Sequence, residues 1–93
     1  MNFSQALEFI KHGNKLQREG WNGKGMYLVY KKGYPEGVPI SENASEATGI
    51  PRGTVCKFQP YIMMYTTHDN FVPWVASQSD LLSDDWNLVH PEE

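Results

Sequence analysis

Phe3, Ala6, Leu7 and Ile10 recur at the three- and four-residue spacing that gathers apolar side chains on one face of a helix. Asn2 and Gln5 form a capping box in front of them, and Gly13 can take the left-handed conformation that closes such a helix. The pattern therefore predicts an amphipathic helix at about 3–12. Its period then changes. Lys15 to Arg18 reads as a short extended piece, and Met26 to Lys31 as a strand with Met26, Leu28 and Tyr30 on one face. Trp21-Asn22-Gly23 between them is turn chemistry, since Asn22 and Gly23 tolerate positive φ.

From Gly33 to Gly53 the chain turns to Gly, Pro, Ser and Glu, the composition of a long insertion. Within it, Ser41 to Gly49 offers a cap, helix-tolerant residues and a terminating glycine, enough for one or two helical turns. Such an insertion suits a lid or a subunit contact. Pro60 to Thr67 is β-prone, His68-Asp69-Asn70 is a turn, and Phe71 to Val75 returns as the second arm of a hairpin. Ser77 to Ser83 fits a short helix with Ser77 and Asp80 as its capping box, and a closing strand near Trp86 to Val89 ends at Pro91. The expected fold is one α+β domain over 1–93. A small, twisted, mainly antiparallel sheet carries the N-terminal helix, a variable insertion at about 33–53 and a second short helix.

Ninety-three residues with 40% apolar content support only a modest core, while aromatics at 13% exceed what so small a core can hide. Burial between subunits resolves that surplus, so a homo-oligomer is expected. The net charge of −3, with Arg18 and Arg52 as the only arginines, argues against a duplex nucleic-acid partner but leaves room for a small phosphorylated ligand. The lone Cys56 excludes a disulfide framework and a cysteine-rich zinc site, and His12, His68 and His90 lack metal-ligand spacing, so no metal and no cofactor are expected. The first residues do not read as an export signal and no apolar run is long enough to span a bilayer, which points away from membranes and towards the cytoplasm.

The candidate chemistry centres on Trp21, set among Gly20, Asn22, Gly23 and Lys24, and on Trp74, set between Pro73 and Gln78. An indole held beside glycines, amides and a few charges is a platform for a base or a sugar. Each residue also has a structural reading. Trp21 either meets a ligand or subunit or caps the core edge; Trp74 either stacks on a ligand or packs in a core or interface; Trp86 reads as core. Met63 and Met64 read as core fillers, the tyrosines of the strands as sheet-face packing, and Gly20, Gly23 and Gly25 as turn formers first. Arg18 and Glu19 could form an exposed ion pair, and Asp84-Asp85 a solvated helix end or a cap. Nothing pairs Cys56 with a base, and neighbouring Asp84 and Asp85 point to opposite faces of an extended chain, so no catalytic residue is expected.

Three successive blocks resemble one family: Glu19 to Met26, Phe58 to Met64, and Phe71 to Leu82 followed by Asp84-Asp85-Trp86. In order and over nearly the whole chain they are similar to the second class of phage Thoeris anti-defence sponges, a small phage and prophage domain family. The resemblance implies a tetrameric, non-enzymatic protein acting in the host cytoplasm. It would capture the cyclic ADP-ribose isomer made by a Toll/interleukin-1 receptor (TIR) domain immune enzyme, with cyclic dinucleotides as possible further ligands at separate sites. For such a ligand the chemically suitable partners are Trp21 or Trp74 for the adenine face, the amides of Asn22 and Gln78, and Arg18 and Lys24 for the pyrophosphate. Gly23 lies in the same turn, and Asp84, with Asp80 and Asp85, could accept from ribose hydroxyls or the adenine amino group. The competing reading is a phage accessory module that uses the same aromatic surface to bind a protein.

Overall fold

In a computed structural model, which describes residues 1–90, the chain forms a single α+β unit with two separate sheets. The first helix, α1 (Phe3–Lys11), starts at the Asn2–Gln5 capping box and ends where Gly13 takes φ +94°, as its pattern requires. Strands β1 (Leu16–Arg18) and β2 (Tyr27–Lys31) follow, antiparallel, with Leu16 opposite Leu28. The insertion folds as a hairpin of β3 (Tyr34–Pro39) and β4 (Val55–Phe58), with helix α2 (Glu42–Thr48) at its far end. Then come β5 (Tyr61–Tyr65), β6 (Phe71–Pro73), α3 (Gln78–Leu82) and β7 (Trp86–Leu88).

The main sheet runs β6-β5-β2-β1-β7 and every pairing in it is antiparallel. One face is covered. There Ala6 and Ile10 of α1 meet Leu16, Leu28 and Trp86 in a fully buried cluster, flanked by Tyr30, Ile62, Met64 and Leu88. The strand period sends the alternate residues to the other face, where register aligns Tyr27, Tyr65 and Phe71 in one row and Val29, Met63 and Pro73 in the next. Met63 is therefore not a core filler, whereas Met64 is.

The hairpin β3–β4 was the element that the pattern did not predict, because Gly37, Pro35 and Pro39 obscure its alternation. Gly37 sits at φ +97° where the register shifts between Tyr34 and Val38, so the β3 strand kinks at a residue without a Cβ to clash. Ile40 is the arm's one buried apolar residue among those described. The arm gives the molecule extents of 44 × 30 × 27 Å. At its base Gly33 runs so close to the Phe58 carbonyl and the Gln59–Pro60 backbone that a Cβ there would collide with main chain. The expected stop of the last strand at Pro91 lies outside the described residues.

Candidate functional site

Trp86 is the centre on which the other candidate residues are hung. It begins β7, is fully buried, and donates its Nε1–H to the Asp80 carbonyl at 3.0 Å. Trp21 approaches it edge-on at 5.4 Å between ring centroids, and Trp74 does so at 6.2 Å, with interplanar angles of 82° and 86°. Phe3 of α1 lies 5.4 Å from Trp86 and 6.1 Å from Trp74. Edge-to-face contacts of this kind add roughly 0.5–1.5 kcal/mol each beyond area burial. Trp21 and Trp74 both remain half-buried.

A polar network locks the Trp21 side. Arg18, at the end of β1, donates from Nη1 to Asp80 Oδ1 at 2.9 Å and from Nε to Asp85 Oδ1 at 2.8 Å. Trp21 Nε1 donates to the same Asp80 Oδ1 at 3.2 Å, the Ser77 amide to Oδ2 at 3.0 Å, and the Gly20 amide to Asp85 Oδ2 at 2.8 Å. Burial pushes the Asp80 carboxyl up, but the bonds it accepts from the Ser77 amide, Arg18 and Trp21 outweigh burial and hold it below the usual carboxylate range. Hydrogen bonds from Arg18 hold Asp85 low as well, and the two carboxylates in turn raise the guanidinium above its ordinary value. One cation thus meets two anions, a local excess of negative charge. Arg18 pairs with Asp85 and Asp80 rather than with Glu19, and Asp85 is an ion-pair partner rather than a solvated helix end.

Among the described residues, the side chains of the other expected ligand residues take no part in this polar network. Asn22 and Lys24 are exposed on the β1–β2 connection, while Gly23 packs so tightly against Met26 and Thr67 that any side chain there would displace them. Gln78 is exposed on the first turn of α3. Asp84 is exposed too, and its carbonyl accepts from the Met1 amine at 3.2 Å. Hence Arg18, Trp21 and, through Trp86, Trp74 are drawn into one cluster; Asn22, Lys24, Gln78 and Asp84 are exposed, and their side chains enter no ion pair of the network among the described residues.

A second constellation was missed by sequence reasoning. Where the arm joins the sheet, Lys31, Lys32, Tyr34, Phe58, Gln59 and Tyr61 line an open cleft of about 360 Å³, within the range of roughly 300–1,000 Å³ usual for small-molecule pockets. Tyr34 and Phe58 face each other across the β3–β4 ladder in edge contact at 6.5 Å, and Lys31 Nζ stands 5.8 Å from the Tyr34 ring centroid. Among the described residues neither Lys31 nor Lys32 has a carboxylate within ion-pair distance. The available signal was Lys31-Lys32-Gly33-Tyr34 and Phe58-Gln59-Pro60-Tyr61 bracketing the insertion, aromatic and polar at both ends.

Among the described residues there is no group of His, Cys, Asp and Glu able to hold a metal ion, and no helix long and apolar enough to cross a membrane. Residues 1–89 match the family model Tad2-like, described as a Thoeris anti-defense 2-like domain. A protein of Bacillus phage SP01 named Thoeris anti-defense 2 is 34% identical over 89 residues, covering 96% of this chain and 94% of that protein.

Proposed function

This chain belongs to the Thoeris anti-defense 2-like family, and from that premise we propose that it is a phage anti-defence sponge, which binds a cyclic ADP-ribose-type immune signal in the host cytoplasm and holds it intact. The observation that carries the reading is the pair of half-exposed indoles, Trp21 and Trp74, each clamped edge-on against the buried Trp86. Rings fixed in this way lose little entropy when a base stacks on them. Stacking one base contributes roughly 1–3 kcal/mol, whereas nanomolar capture needs about 12 kcal/mol. Several anchors must therefore act together. Asn22, Gln78 and Asp84 supply amide and carboxylate groups for ribose hydroxyls and the adenine edge. Lys24, which has no ion pair among the described residues, is the cation of the expected set for the pyrophosphate, because the donors of Arg18 are already aimed at Asp80 and Asp85.

The arm-base cleft suits a second, flatter anion such as a cyclic dinucleotide, since Lys31 and Lys32 stand beside Tyr34, Phe58 and Tyr61. Self-association would add walls to either site. The test is capture followed by release: protein exposed to a TIR-enzyme reaction mixture is desalted and heat-denatured, and the supernatant is analysed by mass spectrometry. Unmodified messenger is the expected product. A breakdown product would make the protein an enzyme, and absence of heat in calorimetry with cyclic ADP-ribose isomers and cyclic dinucleotides would overturn the sponge. A protein-interaction module is favoured by one observation, the exposure of Val75, which follows Trp74 in the chain, and of Leu82 at the end of α3, at 88% and 79%. Pull-down of one stoichiometric host protein by a chain that binds no nucleotide would establish it.

A further inference from the structure

We propose that Arg18 and Asp85 are positioning residues of the capture site: they fix the pose of the Trp21 ring and touch no ligand themselves. The proposal rests on the sponge reading above and deepens it, giving Arg18 a role other than the phosphate contact that its chemistry first suggests.

Local structure does not hold Trp21 in place. The ring is carried by residues 19–26, which form neither helix nor strand, and the ladder between β1 and β2 registers Leu16 with Leu28, short of this connection. Tertiary bonds do the holding. The Gly20 amide donates to Asp85 Oδ2 at 2.8 Å, the Glu19 amide to the Asp85 carbonyl at 3.1 Å, and Trp21 Nε1 to Asp80 Oδ1 at 3.2 Å. Both side-chain acceptors are in turn gripped by one guanidinium, through Nη1 on Asp80 at 2.9 Å and Nε on Asp85 at 2.8 Å. Arg18 is therefore a strut between two carboxylates. Its rigid planar fork sets their separation, and with it the place of the backbone at Gly20 and of the indole that follows.

Gly20 supplies a second observation. Its φ lies outside the left-handed region, so conformational freedom does not call for a glycine there. Instead, a Cβ would stand 2.8 Å from Asp85 Oδ2 and 3.2 Å from Arg18 Nη2, so the main chain runs in contact with the ion pair itself. At the other end of the turn, Gly23 is wedged against Met26 and Thr67 in the same way. The segment carrying Trp21 is thus pinned at two points, and loses one of them with the strut.

Third, the geometry closes Arg18 to a phosphate. Its side chain is only 15% exposed, and its Nε and Nη1 donors are spent on carboxylates. An anion reaching it would have to break charge-assisted bonds and settle beside Asp80 and Asp85, whose like charge opposes it. What Arg18 contributes to affinity is an indole already in place. Freeing a side chain that the ligand must then re-order weakens binding by roughly 2- to 12-fold.

The test is calorimetry with a cyclic ADP-ribose isomer, at a temperature where thermal scans show each variant folded, for Arg18→Lys and Asp85→Ala, alone and combined with Trp21→Ala. Each single variant should raise Kd by that factor, and neither should raise it further once Trp21 is gone. A phosphate-gripping Arg18 behaves otherwise: Asp85→Ala frees the guanidinium and tightens binding, and Arg18→Lys weakens it with or without Trp21. Either result, or lowered thermal midpoints with unchanged Kd, would overturn the proposal. Should one of these variants fail to fold, Gly20→Ala takes its place, since it crowds Asp85 aside and removes no charge. A ligand-free measurement stands beside the titrations. The indole N–H signal of Trp21 in a proton–nitrogen correlation spectrum, identified by its loss in Trp21→Ala, should shift and exchange faster in the folded variants, and an unmoved signal refutes the strut. A wild type that binds no isomer would count against the sponge alone, because the indole signal still decides the positioning; a capturing wild type whose variants act independently of Trp21 would count against the positioning alone.

Discussion

The tryptophan hub and the arm base use similar materials, aromatic rings with one or two cations, and combine them in opposite ways. In the hub the donors of Arg18, the Trp21 and Trp86 indole N–H groups and both oxygens of Asp80 are engaged within the chain. At the arm base Lys31 and Lys32 stand beside half-exposed rings with no carboxylate in reach among the described residues. The difference follows from depth. Polar groups under a five-residue apolar core must be satisfied internally, because an unpaired one costs roughly 1–3 kcal/mol, while groups at the mouth of a cleft can be left to water or a ligand. Richness in tryptophan therefore marks a rigid frame at least as much as a contact surface. The ligand chemistry proposed for this chain is assigned to the frame's rim and to the open cleft.

Substitutions can break this contrast at either end, and the largest effect is expected at the centre of the hub. Trp86→Ala removes the largest fully buried side chain and should cost about 3–5 kcal/mol in chemical denaturation, enough to unfold much of so small a domain. Asp80→Ala leaves Arg18, the Trp21 indole and the Ser77 amide without their shared acceptor, and a loss of about 3 kcal/mol is expected by the same measurement. If Asp80→Ala proved neutral, the hub would not be the wired frame described.

The same carboxylates set an acid limit. Asp80 and Asp85 titrate lower in the folded chain than when unfolded, so their stabilisation is complete above the unfolded value of about 3.9 and is lost as pH falls through their depressed folded values. Thermal midpoints should fall across that acid window, and Asp80→Asn should flatten the slope.

Smaller effects separate binding from folding. Trp21→Ala and Trp74→Ala should each weaken capture by about 1–3 kcal/mol, roughly 5- to 150-fold in Kd by calorimetry, with cooperative unfolding retained. Collapse of the fold in either variant would place that indole wholly in the frame. At the arm base, replacing Lys31 and Lys32 together by Ala should change stability by less than about 0.5 kcal/mol while reducing anion binding there and its dependence on salt. Unchanged binding of every anion by the double variant would leave the cleft without a ligand role.

Much of the frame was legible in one dimension. Capping boxes at Asn2–Gln5 and Ser77–Asp80, the helix stop at Gly13, and the β5–β6 hairpin turn at His68–Asn70 rest on interactions between residues close in the chain, and the structure has each of them. The arm was not legible as a hairpin. Tyr34 and Phe58 pair across twenty-four positions, through a strand broken by Gly37 and two prolines, so no local period announces them. The partners of Arg18 were hidden for the same reason, because Asp80 and Asp85 lie more than sixty residues away. Sequence by itself determined where helices begin, where the β5–β6 turn falls and that Leu28 and Tyr30 share one face of β2, since those preferences are settled within a few residues. Only the tertiary structure decided that Trp21 and Trp74 both pack edge-on against Trp86, that Arg18 is held by two carboxylates, and that no helix among the described residues covers one face of the sheet, because each depends on which distant segments the packed chain brings together.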